Sequence, residues 1–388
     1  MKAIEVLFWI FFAVVFYTYI GYGMVLYILV LIKRIFGKRR VQPINNYEPD
    51  VTLLIAAYNE KDFVGQKVQN SRMLDYPSYK LHQLWVTDGS DDGTPNLLES
   101  YPEIKVLHSA KRNGKIAAMN RGMKHVETPI VIFSDANTLL GEKSVRKIVE
   151  LFADPKTGCV SGEKRIMNKG KAAAAGAGEG LYWKYESTLK KWDAELNSVV
   201  GAAGELFSIR TKLYQEVEAD TLLDDFIISL RVAMKGYSIQ YDPEAYAAET
   251  ASANVKEELK RKIRIAAGGI QSVIRLYPLL NIFKYGILSF QYISHRVLRW
   301  TITPLLLPLL LVLNFLLINE GFYTVLFIAQ LAFYISALVG WMLERKKIKI
   351  KSLFVPYYFF IMNYAVYRGF FRFLQSSQSV NWERAKRG

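Results

Sequence analysis

Residues 7–32 (LFWIFFAVVFYTYIGYGMVLYILVLI) contain no charged side chain. As a helix this run exceeds the about 20 apolar residues needed to cross a bilayer core, so any fold must place it in lipid or bury it. A cleavable signal peptide has a shorter apolar region and a small-residue cleavage site. Here the run meets Lys33, Arg34, Lys38, Arg39 and Arg40. The expectation is an uncleaved anchor with its basic end on the cytoplasmic side. Three more apolar stretches follow late in the chain, at 300–318, 322–343 and 352–374. The first two flank an Asn-Glu-Gly turn and read as a helical hairpin, kinked at Pro304 and Pro308, which membranes tolerate when neighbours satisfy the freed carbonyls. Arg345, Lys346, Lys347, Lys349 and Lys351 mark a second cytoplasmic loop. The last stretch carries Arg368 and Arg372 in its final turns, and it reads either as a fourth span or as a re-entrant or surface-lying helix.

This pattern divides the chain. Residues 1–40 are the anchor and its basic flank, 45–275 a cytosolic domain, 277–298 an amphipathic interface helix and 299–388 a membrane region of two or three spans. The expected location is the plasma (inner) membrane, multi-pass. Net charge is +15, from 50 Lys+Arg against 35 Asp+Glu. Such an excess suits anionic lipid, a phosphorylated substrate or nucleic acid. Much of it lies beside the apolar segments, which favours the lipid bilayer over nucleic acid. The single cysteine, Cys159, excludes an intramolecular disulfide, and the four histidines show no metal-ligand spacing.

Between the apolar ends, short strand-like runs alternate with helical patterns. Strands are expected at 51–57, 84–87, 104–108, 129–134 and 158–163, and helices near 60–74, 94–100, 115–125, 143–153 and 225–235. Alternation of this kind argues for an open, mostly parallel α/β sheet with helices on both faces. In such sheets a ligand sits beyond the carboxyl ends of the strands, where Asn59, Asp88 and Asp135 fall.

Several short motifs carry chemistry, each with a plainer reading beside it. Asp135-Ala-Asn137 offers two side-chain oxygens to a hard cation on a diphosphate, or a strand-end cap. Asp88-Gly-Ser-Asp-Asp-Gly-Thr offers carboxylates to a ribose or base, or an acidic turn before a capped helix. Asp224-Asp225 stands in an apolar frame, which raises a carboxyl pKa toward that of a general base; the alternative is a first-turn acid. Arg261 and Arg264 share a helix face and suit a diphosphate, or lie on lipid headgroups. Lys115 ends a basic turn that reaches phosphate or stays solvated.

In their order along the chain, AAYNE (56–60), VTDGSDDGT (86–94), NGKIAAMNRG (113–122), FSDANT (133–138), GAAGELFSIR (201–210) and LLDDF (222–226) resemble the membrane-embedded family-2 glycosyltransferases, the inverting enzymes related to cellulose, chitin and hyaluronan synthases. The likeness covers about 50–275 and the flanking spans. It implies a glycosyltransferase A fold, a nucleotide-sugar donor (expected to be a UDP-sugar), Mg²⁺ or Mn²⁺, and a glycan or lipid-linked acceptor in cell-surface polysaccharide synthesis. By the same resemblance Ala57, Asn59, Glu60 and Asp88 line the donor site, with Asp88 near the base. Lys115 lies near the nucleotide, Asp135 with Asn137 holds the metal, Asp225 beside Asp224 is the base, and Gly204 and Glu205 approach the acceptor.

Two departures stand out. The family's Asp-x-Asp is Asp135-Ala-Asn137, with a neutral second ligand. The Gln-x-x-Arg-Trp of processive members corresponds to Arg261-Lys-Ile-Arg264-Ile265, which lacks the tryptophan platform for the acceptor sugar. Arg296-Val-Leu-Arg299-Trp300 matches the letters further downstream and is expected to be a lipid-interface anchor. The sequence therefore points to a non-processive hexosyltransferase. The alternatives are a processive polysaccharide synthase and a catalytically inactive membrane nucleotide-binding regulator, which Asn137 would suit. A dinucleotide-dependent oxidoreductase lacks its Gly-x-Gly-x-x-Gly after the first strand.

Overall fold

The computed structural model describes residues 1–37, 47–167, 176–250, 255–345 and 350–375. The basic residues at 38–40 and 346–349, much of the small-residue run at 171–180 and the basic tail at 383–387 lie outside these.

One eight-stranded sheet forms the centre, in the order β3-β2-β1-β4-β7-β6-β8-β5. Its first half is β1 (Val51–Ala57), β2 (Leu81–Asp88), β3 (Ile104–Ser109) and β4 (Ile130–Asp135). These four pair in parallel, and every residue of β1 is buried, because helices cover both faces. The helices between them are α3 (Lys61–Arg72), α4 (Thr94–Glu99) and α5 (Lys115–Met123). The parallel register puts Ala57, Asp88 and Asp135 at one edge, with Ala57 opposite Thr87 and Ala56 opposite Asp135.

The second half is mixed. β5 (Leu139–Leu140) and α6 (Ser144–Leu151) lead to β6 (Thr157–Met167) and α7 (Gly176–Leu196). β7 (Leu206–Arg210) runs antiparallel to both β4 and β6, and β8 (Ser238–Thr250) runs parallel to β6. Neither β7 nor β8 was expected from the alternation. β8 hides its pattern behind an irregularity: Tyr241 pairs with Ser161 and Tyr246 with Glu163, so residues 242–245 bulge against one partner, with Pro243 inside the bulge.

α8 (Asp224–Met234) begins at the acid pair and packs its Phe226, Ile227 and Leu230 into the core. α9 (Val255–Arg275) follows β8. The stretch 277–298, expected as one amphipathic helix, is instead broken. It comprises a short turn, α10 (Ile282–Tyr285) and α11 (Ile287–Tyr292), separated by Gly286 at φ +53°, then a π turn at Ile293–Val297. Glycine tolerates that dihedral and breaks the helix there. α11 and the π turn are also largely buried, with Tyr292 and His295 inaccessible, so they do not lie on a surface.

α1 (Lys2–Phe16), a π turn (Tyr17–Gly21) and α2 (Tyr22–Phe36) make one long helix. It and α14 (Gly321–Arg345) are the two described helices long and apolar enough to cross a membrane. A third candidate is bent by 55° between α12 (Leu298–Trp300) and α13 (Ile302–Leu316). The bend has a covalent cause. Pro304 has no N–H to give the carbonyl of Trp300, four residues back, and the helix breaks at Thr301. Pro308 likewise leaves the Pro304 carbonyl without its helical donor, and the Tyr367 hydroxyl donates to that carbonyl at 2.5 Å. Tyr367 belongs to α15 (Lys351–Leu374), a 24-residue helix that does not meet the same measure of apolarity. α15 packs along α9, against α14 and against α7.

Candidate active site

The β1 and β2 ends are tied together. The Asn59 amide donates to Asp91 at 2.8 Å, and the Asp91 backbone N–H returns a bond to Asn59 Oδ1 at 3.0 Å. Asn59 adopts φ +51°, a conformation that suits asparagine better than most residues. Asp92 accepts from the backbone N–H groups of Thr94 and Lys61, so this acid caps two helices at once. Burial would raise the Asp92 carboxyl, but these bonds outweigh it and hold it below its usual range. The backbone N–H of Glu60 donates to Thr94 Oγ1, and Ala57 is buried beneath the turn.

Asp88 is buried and committed. Its Oδ2 accepts from the backbone N–H groups of Asn113 and Gly114, both at 2.7 Å, while Arg121 stands 3.4 Å from Oδ1. Asp88 therefore positions the turn that leads into α5. Lys115 opens α5, and its Nζ lies 2.8 Å from Asp135 Oδ1 and 3.7 Å from Asp224 Oδ2. Burial would depress this ammonium, but Asp135, Asp224 and Asp225 outweigh it and hold it well above the ordinary lysine value.

Asp135 and Asn137 lie on one turn, and Asn137 Oδ1 is a buried oxygen with no hydrogen-bond partner. Beneath them Lys67, fully buried, donates to Ser134 Oγ and to the Thr138 carbonyl, and burial lowers it to about 7. Lys67 was not singled out in the sequence. Its signal was there: it shares the buried face of α3 with Val64, Val68 and Ser71. No cluster of three or more His, Cys, Asp or Glu side chains among the described residues has metal-site geometry. A cation here would rest on Asp135, the Asn137 carbonyl and oxygens from outside the protein.

Asp225 faces Gly204, where an added Cβ would meet its Oδ2 at 3.1 Å. Phe226 beside it needs Gly201, whose φ is +87° and whose missing Cβ would lie 2.2 Å from the ring. Burial, then the neighbouring Asp224 charge, push Asp225 up to about 7, with Lys115 pulling the other way. The pair thus puts one carboxyl near neutrality at the head of α8.

Glu205 sits in a denser ion cluster. Lys164 lies 2.6 Å from Glu205 and also contacts Glu249; Arg261 lies 3.7 Å from Glu205, 3.8 Å from Glu249 and 3.3 Å from Glu258. Burial would raise the Glu205 carboxyl, but Lys164 and Arg261 hold it far below its usual range. Arg261, expected on a diphosphate, is thus engaged by three carboxylates. Arg264, one turn on, is exposed at the rim of the same cavity.

A second cluster escaped the sequence reading. Glu186 of α7 is buried between Arg296 at 2.8 Å, Arg299 at 2.9 Å and His295 at 3.0 Å, and His295 also meets Asp193 at 2.7 Å. Burial would raise Glu186, but the two arginines and His295 keep it well below the carboxylate range. The expected lipid anchor at 296–300 is therefore corrected. Its arginines are consumed internally, and Trp300 rests on Gly269, meets Phe226 edge-on at 5.2 Å and lines the cavity.

That cavity measures about 1200 Å³. Lys115, Asp135, Asp224, Asp225, Gly204 and Glu205 all border it, whereas Ala57, Asn59, Glu60 and Asp88 do not. Ile265, at the place of the missing tryptophan, lines it as well.

Comparison with known proteins speaks to the family and the fold. The family model described as "Glycosyltransferase like family 2" matches residues 49–268. The chain is similar to the poly-beta-1,6-N-acetyl-D-glucosamine synthase of Staphylococcus epidermidis, 22% identical over 340 residues, covering 81% of each chain. It is 26% identical over 233 residues to the synthase of the same name from Staphylococcus aureus, covering 58% of this chain and 56% of that one. Among solved structures it resembles mannosyltransferase PcManGT from Pyrobaculum calidifontis, solved in complex with GDP-Man and Mn²⁺. The TM-score is 0.71 at 21% identity, over 96% of this chain and all of that one. At that identity the likeness speaks for the fold, a glycosyltransferase A sheet joined to apolar helices.

Proposed function

The chain belongs to the family-2 glycosyltransferases, and from that premise we propose that it transfers a hexose with inversion from a nucleotide sugar to a glycan or lipid-linked acceptor at a membrane. The observation that carries this is the placement of Asp225: a carboxyl raised to about 7, on the same cavity as Lys115 and Asp135. A base must be able to take a proton near neutral pH, and burial beside Asp224 raises this carboxyl toward that range.

In this reading Asp225 removes the proton from an acceptor hydroxyl. The oxygen attacks the anomeric carbon opposite the nucleotide, the bond to the diphosphate oxygen breaks, and its electron pair leaves with the nucleoside diphosphate. Lys115 sits to meet that growing charge, in a part-buried site where it counts for more than in water. Asp135 and Asn137 would hold Mg²⁺ or Mn²⁺, and Asn137 Oδ1 has the unused lone pairs to do so. When bound, the ion supplies Lewis-acid stabilisation of the diphosphate. Ala57, Asn59, Glu60 and Asp88 border the nucleoside. Arg264 is better placed than Arg261 to reach phosphate, because Arg261 already serves Glu205, Glu249 and Glu258. Asp224 tunes its neighbour.

UDP is the donor nucleotide taken in this reading; the structural neighbour was solved with GDP-Man. The catalytic domain faces the cytosol of the inner membrane, as the basic flanks imply. Transfer adds one sugar or a few in this reading, since Ile265 stands where processive members carry a tryptophan, although Trp300 lines the same cavity from another segment. The synthase relatives favour the second reading, processive elongation. Purified protein in lipid, given a panel of nucleotide sugars, tests the reading: one donor should release nucleoside diphosphate in step with acceptor modification. Release from none sinks it. Size-resolved labelled product then separates short from processive transfer.

A further inference from the structure

Lys67 takes no part in the transfer chemistry above, yet it is completely buried. It lies on the inner face of α3 with Val64, Val68 and Ser71. A methionine would fill that space at less cost, because a buried amine gives up its water. What lysine adds is donors. Its Nζ donates to Ser134 Oγ at 2.7 Å and to the Thr138 carbonyl at 2.8 Å, with Thr138 Oγ1 at 3.5 Å. Two other buried lysines face carboxylates: Lys164 meets Glu205 and Glu249, and Lys262 meets Glu258 at 3.1 Å. The acceptors of Lys67 are neutral oxygens instead, and all three belong to one turn.

That turn joins β4 to β5, and the two residues Lys67 bonds bracket Asp135-Ala-Asn137. Burial alternates along it. Ser134, Ala136 and Thr138 are buried, while Asp135 and Asn137 are half-buried. The side chains proposed to hold the cation are thus on the accessible side of the turn, and those bonded by Lys67 on the inner side. Thr138 links the two sides, since its hydroxyl donates to the Asp135 carbonyl at 2.9 Å. Asn70, three residues along α3, makes a separate contact. Its amide bonds both the N–H and the carbonyl of Leu140, each at 2.8 Å, and so fastens β5 beyond the turn.

We infer that Lys67 is a positioning residue for the cation and donor diphosphate: its N–H donors clamp Ser134 and Thr138 from below and so fix the backbone that carries Asp135 and Asn137. This rests on the reading of that turn as the metal-binding element and adds the residue that holds it. The neutral second ligand gives the clamp its value. With one carboxylate and one amide oxygen, charge contributes less to cation binding than two carboxylates would, so the placing of the two groups counts for more. Groups that hold metal ligands in place govern affinity nearly as much as the ligands do.

The test uses the full chain in lipid nanodiscs and reads Mn²⁺ binding by electron paramagnetic resonance, with UDP or GDP present and no acceptor. Lys67→Met keeps the bulk and loses the donors. It should raise the Mn²⁺ Kd by about ten-fold or more, the usual loss when a group that orients a metal ligand is removed. In turnover, kcat should fall by about the same factor while the acceptor KM changes little. Asn70→Ala controls for general loosening: it frees β5 and leaves the bonds of the turn, so its Mn²⁺ Kd should stay near the wild-type value. An unchanged Mn²⁺ Kd in Lys67→Met would overturn the inference, whatever the thermal midpoint does. So would an Asn70→Ala protein that loses Mn²⁺ as badly as Lys67→Met. If Lys67→Met does not fold, Ser134→Ala asks the same question by removing one acceptor. It should weaken Mn²⁺ about three-fold, as loss of one hydrogen bond predicts, and no change would overturn the inference. Wild-type protein that binds no Mn²⁺ with either nucleotide would sink the metal reading on which this rests. Wild-type binding that Lys67→Met and Ser134→Ala both retain would sink this inference alone.

Discussion

The two halves of the sheet hold their acids in different ways. In the parallel half, Asp88 is fixed by two backbone N–H groups, Asp91 by Asn59, and Asp92 by the helices it caps. These contacts are mostly to backbone N–H groups, and they gather in the turns at the strand ends. In the mixed half, Glu205 and Glu249 depend on Lys164 and Arg261, and Glu186 on Arg296, Arg299 and His295, partners drawn from remote segments. The difference teaches what each half is for. On the proposed reading, the parallel strand ends position the donor with backbone geometry, whereas ion clusters in the mixed half tie the sheet to the helices around the cavity. Asp225 stands between the halves, and burial with the neighbouring Asp224 charge raises its carboxyl.

The comparison breaks most readily at that residue. Asp225→Asn should lower transfer by about 10³-fold or more, within the range for loss of a general base, while donor binding changes little. Asp224→Asn should cost less. Rate and donor affinity measured on both variants decide the assignment, and a larger loss at Asp224 would reverse it.

The halves should also respond differently to lost partners. Lys164→Met removes the nearest cation from Glu205 and Glu249, so stability in lipid should fall by about 3–5 kcal/mol, as for other broken buried pairs. Asn59→Ala removes two hydrogen bonds at a turn and should cost about 1–3 kcal/mol. Thermal unfolding of the two variants side by side checks the ranking. Equal losses would mean that the mixed half is not specially dependent on its ion cluster.

How much was legible beforehand follows the same division. The strand-end residues Asn59, Asp88 and Asp135 could be placed from short motifs, because a parallel strand, its turn and its helix are contiguous in the chain. β7 and β8 were not legible: their pairings are long-range, and the bulge at 242–245 breaks the alternation of β8. Trp300 was misplaced because its letters abut an apolar stretch, and only the bend forced by Pro304 and the gap left by Gly269 bring its ring to the cavity. Lys164 and Glu186 carried no local signal, since each is defined by partners from other elements.

Smaller effects sharpen the donor side. Asp135→Ala should remove dependence on added Mg²⁺ or Mn²⁺ together with activity, and Asn137→Asp should tighten metal binding about ten-fold, since ligand charge count tunes such sites. Metal titration of donor binding reads both. Full activity in excess chelator would contradict the role of this turn. A further effect concerns stability. Asp225 is raised in the folded protein from 3.8 to about 7, so between those values the folded state holds the extra proton. Stability from this group is therefore complete below about pH 4 and is lost as pH rises through about 7, at up to about 1.4 kcal/mol per pH unit. Asp225→Asn should flatten that part of the stability curve.

The central claim is that Asp225 accepts the acceptor's proton. The pH dependence of kcat/KM for acceptor, at saturating donor and metal, tests it most directly. The account predicts a rate that rises with pH through a single ionisation near 7 and a limb that disappears in the residual activity of Asp225→Asn. A profile already at its plateau at pH 5, or one whose limb near 7 survives in Asp225→Asn, would contradict it.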